Sequence, residues 1–165
     1  MRMKLIFTLL AFGLFLPMTT ACEKQKFSGE IKSFEYLESN MRAFPARYYL
    51  IERNGEGTLL LKFTEYGPIL KVVKAPEDML LKIDRIVQEC RLWNLKHSYV
   101  AKHVLDGTMW DVWIRYEEGS ISSGGSNKWP SGTLRRGLDE IEAYIHSVTD
   151  KVTEEDIINY EPYER

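Results

Sequence analysis

The side chains best suited to hold a ligand lie in residues 120–132, which read SISSGGSNKWPSG. This segment leads directly into a predicted helix, and the unpaired N–H groups at the start of a helix can hold a carboxylate, a phosphate or a sugar hydroxyl. Asn127 and Lys128 would add direct polar contacts, and Ser123 and Trp129 lie beside them in the sequence. We therefore take Ser123, Asn127, Lys128 and Trp129 as candidate ligand- or partner-binding residues.

The same segment also has a purely structural interpretation. Gly124 and Gly125 would satisfy the backbone geometry, while the hydroxyl of Ser131 or Thr133 caps the helix. Loops that precede helices commonly have this composition. The spacing matches neither a phosphate-binding P-loop nor a dinucleotide-binding glycine motif, so the pattern predicts no nucleotide site.

Aromatic residues give a second candidate site, on the strand predicted at 110–117. Its residues alternate between apolar and polar, which is typical of a strand with one buried face. Trp113 is on the polar side, so we expect its indole on the outer face of the sheet, beside Asp111 and Arg115. A flat ring flanked by charged groups suits stacking against a sugar or a partner's side chain. Alternatively, Trp113 packs on a cross-strand neighbour or lies under residues 91–106.

The histidines form no recognisable catalytic or metal-binding motif. The three histidines and Cys90 lack the compact spacing of zinc ligands. Glu142 and His146 are four residues apart on the polar side of a predicted helix, which favours a solvated pair. No G-x-S-x-G nucleophile motif is present. We therefore predict no metal, no cofactor and no catalytic residue.

The N-terminus carries a different chemistry. Positively charged residues precede an apolar run at 5–18, and Ala21 is a small residue directly before Cys22. This arrangement resembles the signal peptides of bacterial lipoproteins, in which the cysteine after the cleaved bond is acylated and becomes the new N-terminus. The run is shorter than the roughly 20 apolar residues that span a bilayer. We therefore predict that a signal peptide at 1–21 is removed and that Cys22 is lipidated.

The predicted location is the bacterial cell envelope, where the N-terminal lipid would hold the chain on a membrane and residues 22–28 would form a tether. Residue 23 is glutamate, which by resemblance to known sorting rules permits the outer membrane. The alternative is ordinary secretion of an unlipidated chain. In that case a disulfide between Cys22 and Cys90 becomes conceivable. Otherwise we expect Cys90, on the apolar side of a helix, to be a packed thiol.

The composition excludes one class of partner. The 165 residues include 22 lysines and arginines and 24 aspartates and glutamates, a formal net charge of −2, with no basic block. Nucleic-acid binding needs many cationic side chains to neutralise phosphates. We therefore expect no nucleic-acid partner.

Six strands and two helices would position these residues. Four strands come first, and Asn54-Gly55 between the second and third indicates a hairpin, because both residues tolerate positive φ. A helix with Pro76 at its first position follows, then the strand at 110–117 with a partner around 120–124, and then a last helix. The first four predicted strands are 30–38, 47–53, 58–64 and 69–74.

Both predicted helices have one apolar stripe, and the alternating strands offer one apolar face. The economical solution is to pack the helices on the sheet. We therefore predict a two-layer α+β fold of order ββββ-α-ββ-α, in which both helices pack on one face of a mainly antiparallel sheet. A single domain would span 29–150, followed by a polar tail at 151–165 with a short helix near its start. Residues 91–106 remain unassigned.

Residues 104–130 contain the pattern L-D-G-x-x-W, then an alternating strand, then S-x-G-x-N-x-x-P. The residues that make up the pattern are Asp106, Gly107, Trp110, Ser123, Gly125, Asn127 and Pro130. The pattern resembles a segment of small uncharacterised bacterial lipoproteins. The resemblance implies the same element order over most of 30–148, and it implies no activity.

These observations together favour a lipid-anchored envelope protein that is not an enzyme. It would bind a protein or a glycan through the 120–130 loop and the outer sheet face. The alternative is a small envelope hydrolase or ligand-modifying enzyme that uses the 120–132 loop and the N-terminus of the following helix. A third hypothesis is a stabilising or inhibitory protein that pairs with a partner through an edge strand.

Overall fold

The computed structural model describes residues 29–40, 44–104 and 107–164. The predicted signal peptide, Cys22, the tether and Asp106 therefore lie outside the described residues. Short 3₁₀ helices occur at Leu92–Asn94 and Glu154–Asp156. The other elements are, in chain order, β1 (Ile31–Ser39), β2 (Arg47–Arg53), β3 (Leu59–Glu65), β4 (Ile69–Lys74), α1 (Met79–Cys90), β5 (Ser98–Val100), β6 (Met109–Tyr116), β7 (Gly119–Ser126), α2 (Thr133–Thr149) and β8 (Ile157–Pro162).

One eight-stranded sheet holds all of these strands, in the order β5-β7-β6-β1-β2-β3-β4-β8. Only the β5–β7 pair is parallel, and each other pair is antiparallel. The predicted α+β fold with a mainly antiparallel sheet is confirmed. Two strands were not predicted: β5 lies in the unassigned segment 91–106, and β8 lies in the segment predicted as a polar tail. The sheet therefore extends to Pro162, beyond the predicted domain boundary at residue 150.

The hairpin between β2 and β3 is confirmed, but its turn differs from the prediction. The positive φ occurs at Gly57, at 83°, and not at Asn54 or Gly55. The side-chain Oδ1 of Asn54 accepts the backbone N–H groups of Glu56 at 3.0 Å and of Thr58 at 2.9 Å. Asn54 therefore stabilises the turn through its side chain, as asparagine commonly does.

The main core lies between the sheet and the two helices, and Cys90 is a buried free thiol within it, as predicted. Leu81 points away from the apolar stripe of α1 and is 61% exposed. The helices approach closely at Gly137, where an added Cβ would lie 2.6 Å from the Cβ of Cys90. Neither helix in the described part of the chain combines the length and the apolar character that crossing a bilayer requires.

Candidate functional site

Most of the predicted loop at 120–132 is a strand. β7 pairs with β6 along its whole length, from Gly119 opposite Tyr116 to Ser126 opposite Met109. Gly132 occupies the N-cap position of α2 with a φ of 62°, and no side chain caps this helix. The prediction that Ser131 or Thr133 caps the helix is therefore wrong. A glycine in a left-handed conformation redirects the chain instead.

Ser123 and Asn127 are engaged in the scaffold. Ser123 is 3% exposed, and its hydroxyl donates to the carbonyl of Lys96 at 2.7 Å. The N–H of Asn127 donates to the carbonyl of Thr108 at 2.8 Å, and its Oδ1 accepts the N–H of Thr108 at 2.9 Å. These bonds fix β7 to the segment before β5 and to the start of β6, so both side chains have a structural role.

Trp129 stacks in the corner of the sheet where β6 begins and β7 ends. Its ring lies 4.8 Å from that of Trp110 at an interplanar angle of 7°, and the guanidinium carbon of Arg135 lies 4.1 Å from its centroid. Trp129 is half-buried, and these contacts give its ring a packing role. The carbonyl of Lys128 accepts the indole N–H of Trp110 at 2.9 Å, while the Lys128 side chain is exposed.

The pattern that resembles small bacterial lipoproteins corresponds largely to this corner. Gly107 has a φ of 140°, and a Cβ on it would overlap the side chain of Asn127. A Cβ on Gly125 would overlap the indole of Trp110. The described residues of the pattern therefore have a packing role, and they account for the glycines without a ligand.

Trp113 lies on the outer face of the sheet, as its position on β6 predicts. Its neighbours are Glu35 on β1 and Ser122 on β7. It is only partly exposed, because it packs on a second apolar cluster. We call this set the outer cluster: Leu37, Tyr48, Leu50, Leu70, Trp113 and Tyr163. Trp113 therefore also packs on side chains of other strands, as the first alternative predicts. Leu92 and Leu95 of the segment 91–106 pack instead in the main core, on the opposite side of the sheet from Trp113.

Tyr48 of the outer cluster fixes a neighbouring carboxylate. The rings of Tyr48 and Tyr163 meet edge to face, with centroids 5.1 Å apart. The hydroxyl of Tyr48 donates to Oε1 of Glu35 at 3.1 Å. Burial, reinforced by the Glu35 carboxylate, raises the pKa of Tyr48 above its usual value. Tyr48 therefore stays neutral and holds Glu35 directly beside Trp113.

The rest of the outer cluster was missed by the sequence analysis, although β2 contained a signal. Tyr48, Tyr49, Leu50 and Ile51 are four consecutive apolar residues, which is typical of a strand covered on both faces. Tyr163 follows Pro162 in a segment that looks polar, so no pattern there indicates a packed ring.

Glu142 and His146 are not the solvated pair that the sequence predicts. They are only 18% and 31% exposed, because α2 presses them against β2 and β3. His146 lies 3.2 Å from the hydroxyl of Tyr49 and 3.5 Å from Glu65, and Glu142 pairs with Arg47. The cavity beneath this cluster is about 10 Å³, room for one water at most. The cluster therefore docks α2, and the cavity beneath it is too small for a substrate.

Among the described residues, open grooves of about 450 and 280 Å³ border the helices. Neither is lined by histidine or cysteine, and their aspartates are engaged: Asp156 accepts the N–H of Thr153 at 2.8 Å, and Asp84 accepts the hydroxyl of Tyr116 at 2.8 Å. Within the described ranges, no three His, Cys, Asp or Glu side chains are arranged to hold a metal ion.

Comparison of the chain with models of known protein families gives no match, and comparison with curated proteins finds no relative. The resemblance to small bacterial lipoproteins therefore stays a prediction.

Proposed function

We propose that this chain is a lipid-anchored protein of the bacterial cell envelope that binds a protein or a glycan and catalyses no reaction. Lipid on Cys22, after removal of residues 1–21, would hold it on a membrane, with the outer membrane favoured. The binding surface is the outer face of the sheet around Trp113.

The observation that carries this proposal is the outer cluster. The buried residues of α1 and α2 pack in the main core, whereas the outer cluster contains only residues from the strands and Tyr163. Leu50, Trp113 and Tyr163 of this cluster are partly exposed, and no described helix covers them. Partly exposed tryptophan and tyrosine side chains are typical of an interaction site. Tryptophan and tyrosine also contribute most of the binding energy in many interfaces.

An enzyme would need a nucleophile or acid–base pair beside a pocket. His146 lies 13 residues along α2 from Thr133, so roughly 20 Å separates it from the helix N-terminus that the hydrolase alternative would use. His97, directly before β5, and His103, three residues after it, are both exposed. The geometry of the described residues therefore gives the hydrolase alternative no support.

Photo-crosslinking in living cells tests the binding surface. A photoreactive amino acid at Arg115, which is exposed on the outer face, should give a discrete adduct with an envelope component. The matched control is Leu81, which is 61% exposed on the helix-covered side and should give no such adduct. Equal labelling from both positions, or from neither, would reject the outer face as the binding surface.

A further inference from the structure

One half of the outer face is already filled by the protein's own side chains. Leu37 and Leu70 are only 3% and 6% exposed there. Lys62 crosses this half and pairs with Glu161 at 3.0 Å and with Glu52 at 3.7 Å. Trp113 lies at the border of this half, so the surface still open to a ligand is on its β7 side.

The other half is a shallow shelf of small residues. Ser120, Ser122 and Gly124 alternate along the outer side of β7, opposite Arg115, Trp113 and Asp111 of β6, respectively. The next strand, β5, begins with the exposed Ser98 beside Gly124. We call Ser120, Ser122 and Gly124 the serine shelf. It lies one strand spacing, roughly 4.8 Å, from β6 and Trp113, and β5 borders it only at Gly124.

Gly124 has a specific effect on this surface. A Cβ at Gly124 would overlap Oδ1 of Asp111, so the Asp111 carboxylate lies over the glycine and faces the shelf. The shelf region thus combines hydroxyl groups, a carboxylate, the Arg115 guanidinium and an indole. Because Trp113 is already held by the outer cluster, stacking a ligand on it costs little further loss of side-chain freedom.

We propose that the serine shelf binds one ring of a neutral saccharide, an inference that rests on the proposed function and names its ligand class. The apolar C–H face of a pyranose stacks on the Trp113 indole, and its hydroxyls donate to Asp111 and accept from Arg115 and Ser122. Glu35, which Tyr48 holds beside Trp113, adds a second carboxylate to Asp111 and Arg115, so the formal charge around the indole is −1. This charge disfavours an anionic ligand, and carboxylate acceptors beside hydroxyl groups and a flat ring suit a polyol.

Nuclear magnetic resonance of the mature chain, in a detergent that is not a glycoside, tests this proposal. The chain has four tryptophans and hence four indole N–H signals, and the signal absent from Trp113→Phe identifies Trp113. Titration with chitotriose, cellotriose and maltotriose should shift the Trp113 signal saturably for at least one of the three. The signal of Trp110, whose N–H is bonded to Lys128, should not move.

Ser122→Val supplies the matched variant, because valine suits a strand and fills the shelf directly beside Trp113. It should weaken saccharide binding at least tenfold, whereas Ser147→Val, on the exposed side of α2, should leave it unchanged. An unshifted Trp113 signal with all three saccharides overturns the saccharide inference. If Arg115 still crosslinks to an envelope protein in that case, the proposed function stands; if it crosslinks to nothing, both fail.

Discussion

Replacing Gly137 with alanine tests how closely α1 and α2 approach. An alanine Cβ would lie 2.6 Å from the Cβ of Cys90, 2.9 Å from Cδ2 of Leu92 and 3.1 Å from the Sγ of Cys90. Helix propensity alone would make the alanine variant more stable, by about 0.8–1.0 kcal/mol. Overpacking in a tight core typically costs about 1–3 kcal/mol. The upper part of that range applies here, since three contacts are too short and the nearest atom adjoins the backbone.

The steric cost should therefore exceed the gain in propensity. We expect Gly137→Ala to lower the free energy of unfolding by about 1–2 kcal/mol, and Tm by roughly 3–8 °C. Urea denaturation followed by circular dichroism measures the first quantity, and a thermal scan measures the second. Ala143→Gly, on the exposed side of the same helix, is the control and should cost only the propensity of about 1 kcal/mol. A Gly137→Ala variant more stable than the wild type would refute the close helix contact.

The remaining predictions concern the corner of the sheet and the buried tyrosines. Trp129→Ala, which removes the stack on Trp110, should lower the free energy of unfolding by about 2–3 kcal/mol, and an unchanged urea midpoint would contradict this. Asn127→Ala leaves a Thr108 N–H without its acceptor and should cost about 1–2 kcal/mol by the same assay, without affecting crosslinking from Arg115. Burial, reinforced by nearby carboxylates, raises the pKa of the buried Tyr36, Tyr48, Tyr49 and Tyr116, so the folded chain keeps protons that the unfolded chain releases near pH 10. Their contribution to stability is complete below about pH 10 and is lost as the pH rises further. The tyrosinate absorbance of these residues should therefore appear together with alkaline unfolding. Their titration at the ordinary tyrosine pKa while the chain is still folded would contradict this prediction.

The elements with strong local patterns could be predicted from the sequence. The alternation in β6 indicates both its strand character and the face of Trp113. The apolar stripes of α1 and α2 indicate helices that pack on one side. The predicted start of α1 at Pro76 was wrong, because the helix begins at Met79 after a turn. Helix ends depend on a few capping contacts that composition does not determine.

β5 and β8 could not be predicted, because neither has a strong pattern of its own. β5 has three residues and pairs in parallel with β7, so its strand character depends on a distant partner. β8 is an edge strand that contains Asn159, Glu161 and Pro162, and it has one neighbour, β4. Edge strands tolerate polar residues and proline, so they lack the alternation that reveals an inner strand.

Side-chain partners also limited the prediction of the site. Asn127 and Trp129 have the residue types of a binding loop, but the fold gives them internal partners in Thr108 and Trp110. Trp113 could be placed on its face because only the period of its own strand matters. The contacts that separate a scaffold residue from an exposed one cross between strands, and local sequence does not encode them.

Mass spectrometry of the N-terminal peptide, from protein isolated in the membrane fraction, tests the central claim most directly. We expect a peptide that begins at Cys22 and carries the added mass of acyl chains, with residues 1–21 absent. Cys22→Ala should abolish this peptide and release the protein from the membrane. An unmodified peptide that begins at Met1, recovered from the soluble cytoplasmic fraction, would contradict both the anchor and the envelope function.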